Sequence, residues 1–236
     1  MESDDAARMA ADPDLQGLAR DLFLRSCEYR YSYNFTWMGR PIIQYPQDMV
    51  AMQEIIWAVR PDLIIETGIA HGGSLVFYAS MLELLGGDGL VLGVDVDIRP
   101  HNRHAIETHP MAPRIRMIEG SSVDPAVVAQ VAAATLGRAR VLVTLDSNHT
   151  HDHVLCELQL YSPFVTEGSY LVVFDTVVED MPKSMFPDRP WGPGDNPKTA
   201  VHEFLRSSER FVIDRRVENK LLLTVAPDGY LRCVKA

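Results

Sequence analysis

The sequence predicts an α/β fold whose sheet is mostly parallel. Between residues 62 and 174, five short apolar runs alternate with stretches that have helical periodicity, which is typical of a parallel sheet with helices on both faces. The runs are apolar almost throughout, as expected for strands buried on both faces. After residue 206 three short runs follow, and Pro227-Asp-Gly229 predicts a turn before the last one. We therefore expect a mostly parallel seven-stranded sheet that ends in an antiparallel hairpin.

Residues 1–58 precede this pattern and are predicted to form a small helical and aromatic accessory segment. Residues 15–27 have apolar side chains at helical spacing. Asp48 is placed to cap a second helix that leads into the first strand. Five aromatic residues alternate with mostly polar ones and could form an edge strand, the wall of a binding cleft, or a surface that packs on the core: Tyr29, Tyr31, Tyr33, Phe35 and Trp37.

Residues 59–236 are predicted to form the main domain. Its strand-like runs are residues 63–65, 90–94, 115–118, 141–145, 170–174, 211–214, 220–225 and 230–234. Its predicted helices are residues 75–85, 102–108, 125–136, 153–162 and 199–206. Residues 181–198 form a long loop with five prolines, which we interpret as a lid, with an inert excursion as the alternative.

Composition narrows the class of protein. The net charge of −10 and the pI near 5.2 argue against a nucleic-acid partner, because phosphate binding needs a basic face. Three widely separated cysteines favour reduced thiols in the cytoplasm over a disulfide framework. The N-terminus lacks the plan of a signal peptide, and no apolar run is long enough to cross a bilayer. We expect a soluble, cytoplasmic protein.

The turn after the first predicted strand indicates a cofactor site. The strand delivers Glu66 and runs into Gly68, Gly72 and Ser74, but the glycines do not follow the dinucleotide spacing G-x-G-x-x-G. A carboxylate here repels a pyrophosphate and attracts a cation, so S-adenosylmethionine fits better than NAD. His71 lies inside the turn, where it either contacts cofactor or is structural. The alternative is a tight strand-to-helix turn without a ligand.

Each of the five predicted parallel strands ends in an acidic residue. In open α/β sheets the ligand lies beyond these carboxyl ends. Asp95 or Asp97, after the second strand, is suited to bind the ribose hydroxyls, and Ser121 or Ser122, after the third, could reach the adenine edge. The full set of acids is Glu66, Asp95, Glu119, Asp146 and Asp175.

Asp146 and Asp175 come from neighbouring strands and could share a divalent ion. Carboxylates without nearby cysteines suit Mg²⁺ or Ca²⁺, which would acidify a substrate hydroxyl. The alternative for Asp146 is a helix cap. His149, just beyond it, is the best candidate for a general base. His151 and His153 are interpreted as the start of a helix.

The sequence resembles two groups of proteins. Glu66, Gly68, Ser74 and the acids Asp95, Asp146 and Asp175 resemble the pattern of Mg²⁺-dependent catechol O-methyltransferases. The chain more closely resembles the cephalosporin hydroxylase family. The stretches that carry this resemblance are Trp37-x-Gly39-x-Pro41, Gln44-x-Pro46-x-Asp48, Arg60-Pro-Asp-Leu-Ile-Ile-Glu-Thr-Gly68, His71-Gly-Gly-Ser74, Asp146-Ser-Asn-His-Thr150, Arg189-Pro-Trp-Gly and Asn196-Pro.

These resemblances imply a Rossmann-like class I methyltransferase core that uses S-adenosylmethionine and Mg²⁺ to methylate the 7-hydroxy group of a cephalosporin in cephamycin biosynthesis. The third metal ligand is expected among Thr176, Glu179 and Asp180, and His149 would take the place of the catechol enzymes' catalytic lysine. Side chains suited to a carboxylated fused-ring substrate are Trp37, Arg189 and Trp191.

Two alternatives stay open. The family name suggests a hydroxylase, although no H-x-D with a distant histidine fits a nonhaem iron site. The chain could also be a non-catalytic substrate-binding partner in a two-protein methoxylation system. We expect a homo-oligomer, in which the aromatic N-terminal segment could pack between subunits.

Overall fold

The computed structural model describes residues 4–236, which form a seven-stranded sheet with helices on both faces, beside a separate two-stranded sheet. The helices are α1 (Asp4–Ala10), α2 (Pro13–Glu28), α3 (Pro46–Val59), α4 (Gly73–Leu85), α5 (Pro100–Glu107), α6 (Pro125–Thr135), α7 (His151–Tyr161), α8 (Pro197–Ser207) and α9 (Arg215–Glu218). The strands are β1 (Thr36–Trp37), β2 (Arg40–Pro41), β3 (Leu63–Thr67), β4 (Leu90–Asp95), β5 (Ile115–Glu119), β6 (Val141–Leu145), β7 (Tyr170–Val173), β8 (Phe211–Ile213) and β9 (Tyr230–Cys233).

The strand order of the large sheet is β5-β4-β3-β6-β7-β9-β8. Strands β3 to β7 are parallel to one another, and β9 lies antiparallel between β7 and β8. The predicted fold class, a mostly parallel seven-stranded sheet that ends in antiparallel strands, is confirmed. After β5 the chain crosses back past β3 to form β6, so the order of strand addition reverses at the adjacent strands β3 and β6. The crevice at such a switch point is where open sheets of this kind bind ligands.

The core explains why the central strands have no polar alternation. Every residue of β3 and of β6 is buried. Ile64 packs into the apolar cluster that contains α3 and α4, whereas Leu63 and Ile65 pack into the cluster that contains α7 and α8. Because successive side chains point to opposite faces, a strand that is covered on both faces is apolar throughout.

The predicted strand at residues 220–225 is wrong. These residues form no strand, and β9 pairs with β7 and β8 instead. Asp48 accounts for the difference: its carboxylate accepts hydrogen bonds from Thr224 Oγ1 at 2.5 Å and from the backbone N–H of Val225 at 2.9 Å. These bonds hold the segment against α3.

The predicted capping role of Asp48 is also wrong. Helix α3 begins at Pro46, its N-cap residue Tyr45 makes no side-chain cap, and Asp48 lies fully buried in the first turn. Burial raises the pKa of Asp48 to about 6, although hydrogen bonds from Thr224, Tyr230 and Val225 act in the opposite direction. Asp48 therefore joins the N-terminal segment to the end of the chain.

The aromatic N-terminal segment packs on the core rather than adding an edge strand to the large sheet. Residues Tyr31–Asn34 form a 3₁₀ helix, and β1 pairs only with β2. The Trp37 indole N–H donates to Ser80 Oγ at 2.9 Å, and its ring packs edge-on against Phe77 of α4. Within residues 4–236, no helix combines the length and the hydropathy that a membrane span requires.

Candidate active site

A cavity of about 640 Å³ opens at the carboxyl ends of the parallel strands, which is within the usual size of small-molecule sites. The candidate residues from the sequence that line this cavity are Gly68, His71, Ser74, Asp95, Ser121, Ser122, Asp146, His149 and Asp175. The sequence therefore placed most of the candidate residues at one cleft. Glu66, Gly72 and Asp97 do not line it.

The glycine turn brings the backbone close to its neighbours. Gly68 and Gly72 have φ of +91° and +77°, a left-handed region that favours glycine. A Cβ on Gly73, at the start of α4, would lie 2.7 Å from Ile42 Cα. The absence of side chains therefore allows the N-terminal segment to close one wall of the cavity.

Glu66 lies beneath this turn. Its side chain is 1% exposed, and Ser74 Oγ donates to its Oε2 at 2.6 Å. Burial raises the pKa of Glu66 to about 8, and the charge of Asp95 acts in the same direction. Glu66 is therefore largely protonated at neutral pH in the empty site, and a cation bound at the turn would favour its ionised form.

Asp95, rather than Asp97, faces the cavity. Its Oδ2 accepts from the backbone N–H groups of Ile69 and Ala70 at 2.7 and 3.2 Å, and Oδ1 accepts from Asp97 at 3.1 Å. Each carboxylate oxygen retains further acceptor capacity. The geometry suits binding of two ribose hydroxyls, and it also fixes the glycine turn to the end of β4.

Asp146, His149 and Asp175 come together at the other end of the cavity. One potential ligand atom from each lies within 4.8 Å of the other two, and His149 Nε2 is 3.3 Å from Asp175 Oδ2. The pKa of Asp146 lies well above its usual range because of burial and the neighbouring charges of Asp175 and Glu66. Two carboxylates that repel each other favour a divalent cation between them.

Gln44 contacts Asp146 at this end of the cavity. Its Nε2 donates to Asp146 Oδ2 at 3.4 Å, and its Oε1 is buried without a hydrogen-bond partner among residues 4–236. Sequence reasoning missed this residue, because a lone glutamine in an extended segment carries no local signal. The oxygen donors of this group are therefore the carboxylates of Asp146 and Asp175, and carboxylates are ligands that fit Mg²⁺.

The three candidates for a third ligand do not join this group. Thr176 is fully buried and its hydroxyl donates to Pro227 O at 2.7 Å. Glu179 Oε2 accepts from the backbone N–H of Gly194 at 2.7 Å, and Asp180 pairs with Lys198 at 2.8 Å. His149 lies beside the two aspartates instead, because β6 and β7 are neighbours and end side by side.

The proline-rich loop reaches the same end of the cavity. The Trp191 ring meets His149 edge-on at 4.9 Å between centroids, and the Arg189 guanidinium lies 5.1 Å from the Trp191 ring. This position suits the lid that the sequence predicted. Trp37 does not line the cavity and is engaged with Ser80 and Phe77, so its predicted substrate contact is not supported.

Comparison with known proteins identifies the family. Residues 29–234 match the family model described as Rhamnosyl O-methyltransferase/CmcI. The chain belongs to this family. The Rhamnosyl O-methyltransferase of Mycobacterium bovis (strain BCG / Pasteur 1173P2) is 32% identical over 198 residues, covering 83% of this chain and 77% of the relative. The protein of the same name from Mycobacterium leprae (strain TN) is 32% identical over 200 residues, covering 83% and 82%.

Solved structures show the same fold. CmcI-D160 with Mg and SAM has a TM-score of 0.60 at 18% identity, covering 86% of this chain and 78% of that one. The O-methyltransferase TomG from Streptomyces achromogenes, in complex with SAM, has a TM-score of 0.57 at 14% identity, covering 95% and 91%. The Rossmann-like class I methyltransferase fold is confirmed. This protein is an S-adenosylmethionine-dependent O-methyltransferase.

Proposed function

We propose that this enzyme uses a divalent ion, Mg²⁺, to methylate an alcoholic hydroxyl group of a sugar. The observation that carries the metal is the group of Asp146, His149 and Asp175, with Gln44 beside it. S-Adenosylmethionine supplies the methyl group, and the ion supplies the positive charge that makes an acceptor hydroxyl more acidic.

The residues divide between holding the metal and moving the proton. Asp146 and Asp175 would hold the ion, because Mg²⁺ prefers oxygen ligands. His149 is proposed as the general base: an Nε2–H that donates to Asp175 leaves Nδ1 free to accept the proton of the acceptor hydroxyl. Trp191 covers the imidazole and limits the access of water to it. A third-ligand role for His149 is the alternative that the variants below distinguish.

The charge of the cavity favours a neutral acceptor. Three carboxylates line it, those of Asp95, Asp146 and Asp175, and its described lining contains no lysine or arginine. Bound Mg²⁺ and the cationic cofactor would largely compensate these charges, and the lining then offers no cationic side chain for a substrate carboxylate, which suits a neutral sugar. The relatives named Rhamnosyl O-methyltransferase cover 83% of the chain at 32% identity, so a 6-deoxyhexose such as a rhamnosyl unit is the proposed acceptor.

A 7-hydroxy cephalosporin is the second candidate. Arg189 favours it, since its guanidinium lies on the lid beside Trp191 and could bind a substrate carboxylate when the lid is closed. In this case the enzyme would act in cephamycin biosynthesis, with or without a second polypeptide.

A homo-oligomer is also proposed. Leu18 and Leu22 leave an apolar strip of α2 exposed, which a second copy of the chain could cover. Sedimentation of the purified chain tests this oligomeric state.

The decisive experiment measures methyl transfer by mass spectrometry with a rhamnoside and with a 7-hydroxy cephalosporin, after chelation and after Mg²⁺ is restored. We expect Mg²⁺-dependent methylation of the rhamnoside. His149→Ala should lower kcat by roughly 10²–10⁴-fold and leave Mg²⁺ affinity, measured by calorimetry, nearly unchanged. Asp146→Asn should lose both turnover and Mg²⁺ affinity. Turnover that survives chelation and Asp146→Asn would contradict the metal.

A matched control is available at His202, which pairs with Asp228 at 2.9 Å outside the residues that line the cavity. His202→Ala removes an imidazole from a similar ion pair and should leave methylation unchanged. A loss of Mg²⁺ affinity in His149→Ala would show that His149 is a ligand rather than the base.

A further inference from the structure

A buried acid lies behind the serine side of the cavity. Glu157, in the middle of α7, is 0% exposed. Ser147 Oγ donates to its Oε1 at 2.7 Å, and His153 Nε2 lies 3.4 Å from the same oxygen. His153 Nε2 is also 3.1 Å from Ser122 Oγ. Ser122, Ser147 and His153 all line the cavity, so the cluster extends from the protein interior to the ligand space.

The carboxylate of Glu157 largely determines which atoms of this cluster carry the protons and in which direction the hydroxyl groups donate. A carboxylate accepts hydrogen bonds and donates none, so the hydrogen on His153 has to be on Nε2 for the contact with Glu157 to be attractive. Ser147 has one hydroxyl proton, which it donates in its hydrogen bond to Glu157. Towards the cavity Ser147 can therefore only accept. Ser122 accepts from His153, and its own proton remains available to donate.

The cluster thus presents one hydrogen-bond acceptor and one donor, both within 3.4 Å of the same imidazole nitrogen. Adenine offers the complementary pair, because its amino group donates beside ring nitrogens that accept. Hypoxanthine offers the reverse pair, an accepting O6 beside an N1–H that donates. A site with fixed polarity rejects the reversed pair because buried polar groups are then left unpaired.

We propose that Glu157 and His153 are positioning residues that fix the polarity of Ser147 and Ser122, and thereby select adenine over hypoxanthine in the cofactor. The inference rests on the use of S-adenosylmethionine and on the position expected for the adenine at Ser122. It also explains a costly feature: the second oxygen of Glu157, Oε2, is buried without a hydrogen-bond partner among residues 4–236. An apolar residue would avoid this cost but would leave both hydroxyl groups free to rotate.

The test compares the affinities of S-adenosylhomocysteine and S-inosylhomocysteine by calorimetry. The wild type should bind the adenosyl compound at least tenfold more tightly. In Glu157→Leu no acceptor remains for the Ser147 hydroxyl, whose proton is then free to turn towards the cavity. The ratio of the two affinities should fall to within a few-fold of one, through weaker adenosyl binding and stronger inosyl binding.

Two further variants keep the test sharp. Ser147→Ala removes the acceptor and leaves Glu157 in place, so it should also reduce the ratio if Glu157→Leu fails to fold. Glu203→Leu is the matched control, since Glu203, on α8, pairs with His151 at 3.4 Å and does not line the cavity, so this variant should leave the ratio unchanged.

An unchanged ratio in folded Glu157→Leu or in Ser147→Ala would overturn the inference alone, as would equal affinities in the wild type. Failure of the wild type to bind S-adenosylhomocysteine would overturn the cofactor assignment as well, which separates the two failures.

Discussion

Replacement of Gly68 by alanine should disturb the cofactor turn and the metal site together. Gly68 has φ of +91°, and a Cβ there would lie 2.6 Å from the carbonyl carbon of Asp146, with the carbonyl oxygen closer still. That carbonyl cannot easily withdraw, because the backbone N–H of Asp146 donates to Thr67 O at 2.9 Å. The new methyl group therefore pushes on the residue whose side chain is proposed to hold the ion.

Two costs add in Gly68→Ala. The left-handed backbone costs of order 1–3 kcal/mol for a residue with a Cβ, and the clash costs roughly 1–3 kcal/mol as overpacking. Their sum, about 2–6 kcal/mol, is a large part of the 5–15 kcal/mol of a typical domain. Urea unfolding of the cofactor-free protein measures this loss of unfolding free energy. Calorimetry should show that the affinities for S-adenosylmethionine and for Mg²⁺ both fall.

Gly168→Ala separates the two costs. Gly168 has a similar φ of +82°, but a Cβ there would have nothing within 4 Å, so only the backbone cost applies. Gly68→Ala should therefore be less stable than Gly168→Ala by about 1–3 kcal/mol. Equal unfolding free energies for the two variants, with wild-type cofactor affinity in Gly68→Ala, would refute the close contact between the turn and Asp146.

Two other predictions concern the buried acid of α3 and the lid. Burial raises the pKa of Asp48 to about 6, so its contribution to the unfolding free energy is fully present below its unfolded pKa of 3.8 and is lost as the pH rises through 6. Relative to Asp48→Asn, the wild type should lose about 2–3 kcal/mol of unfolding free energy between pH 4 and 7; a difference between the two proteins that stays constant over this range, measured by urea unfolding, would contradict this. Trp191→Ala removes the ring contact to His149 and should lower kcat/KM about two- to tenfold, with a melting temperature close to that of the wild type; an unchanged kcat/KM would place the lid outside the reaction.

The fold was predictable because its signal is local. The runs that became β3 and β6 are apolar on both faces and bounded by polar or glycine-containing turns, so each could be assigned from its own residues. The run at residues 220–225 failed because its structure depends on Asp48, 176 and 177 residues away from Thr224 and Val225. A buried carboxylate that captures two hydrogen-bond donors outweighs a modest strand propensity.

The site was predictable to the level of strand ends and no further. Asp146 and Asp175 follow neighbouring strands, which brings them together in any sheet of this order. The third ligand was sought in the residues that follow Asp175 in the sequence, whereas the side chain that lies beside the two aspartates is that of His149, which follows the adjacent strand. Glu157 had no signal, because an acid in an amphipathic helix is indistinguishable from a solvated one until the neighbours of the helix are known.

The acids that make the site also make the empty protein less stable, and Glu66 shows this most clearly. Burial, reinforced by the charge of Asp95, raises its pKa from 4.5 to about 8, so the folded state favours the protonated form. Its contribution to stability is present below pH 4.5 and is lost as the pH rises through 8, a change that corresponds to roughly 5 kcal/mol.

Glu66→Gln keeps an acceptor for the Ser74 hydroxyl and removes the charge. We therefore expect the cofactor-free variant to be more stable than the wild type at pH 8 by a few kcal/mol, and to be similar at pH 4.5. The same variant should bind S-adenosylmethionine more weakly, because it lacks the carboxylate whose ionised form the cationic cofactor would stabilise. Urea unfolding at the two pH values and calorimetry measure these effects. A variant that gains stability without losing affinity would show that Glu66 is a structural acid beneath the turn rather than part of the cofactor site.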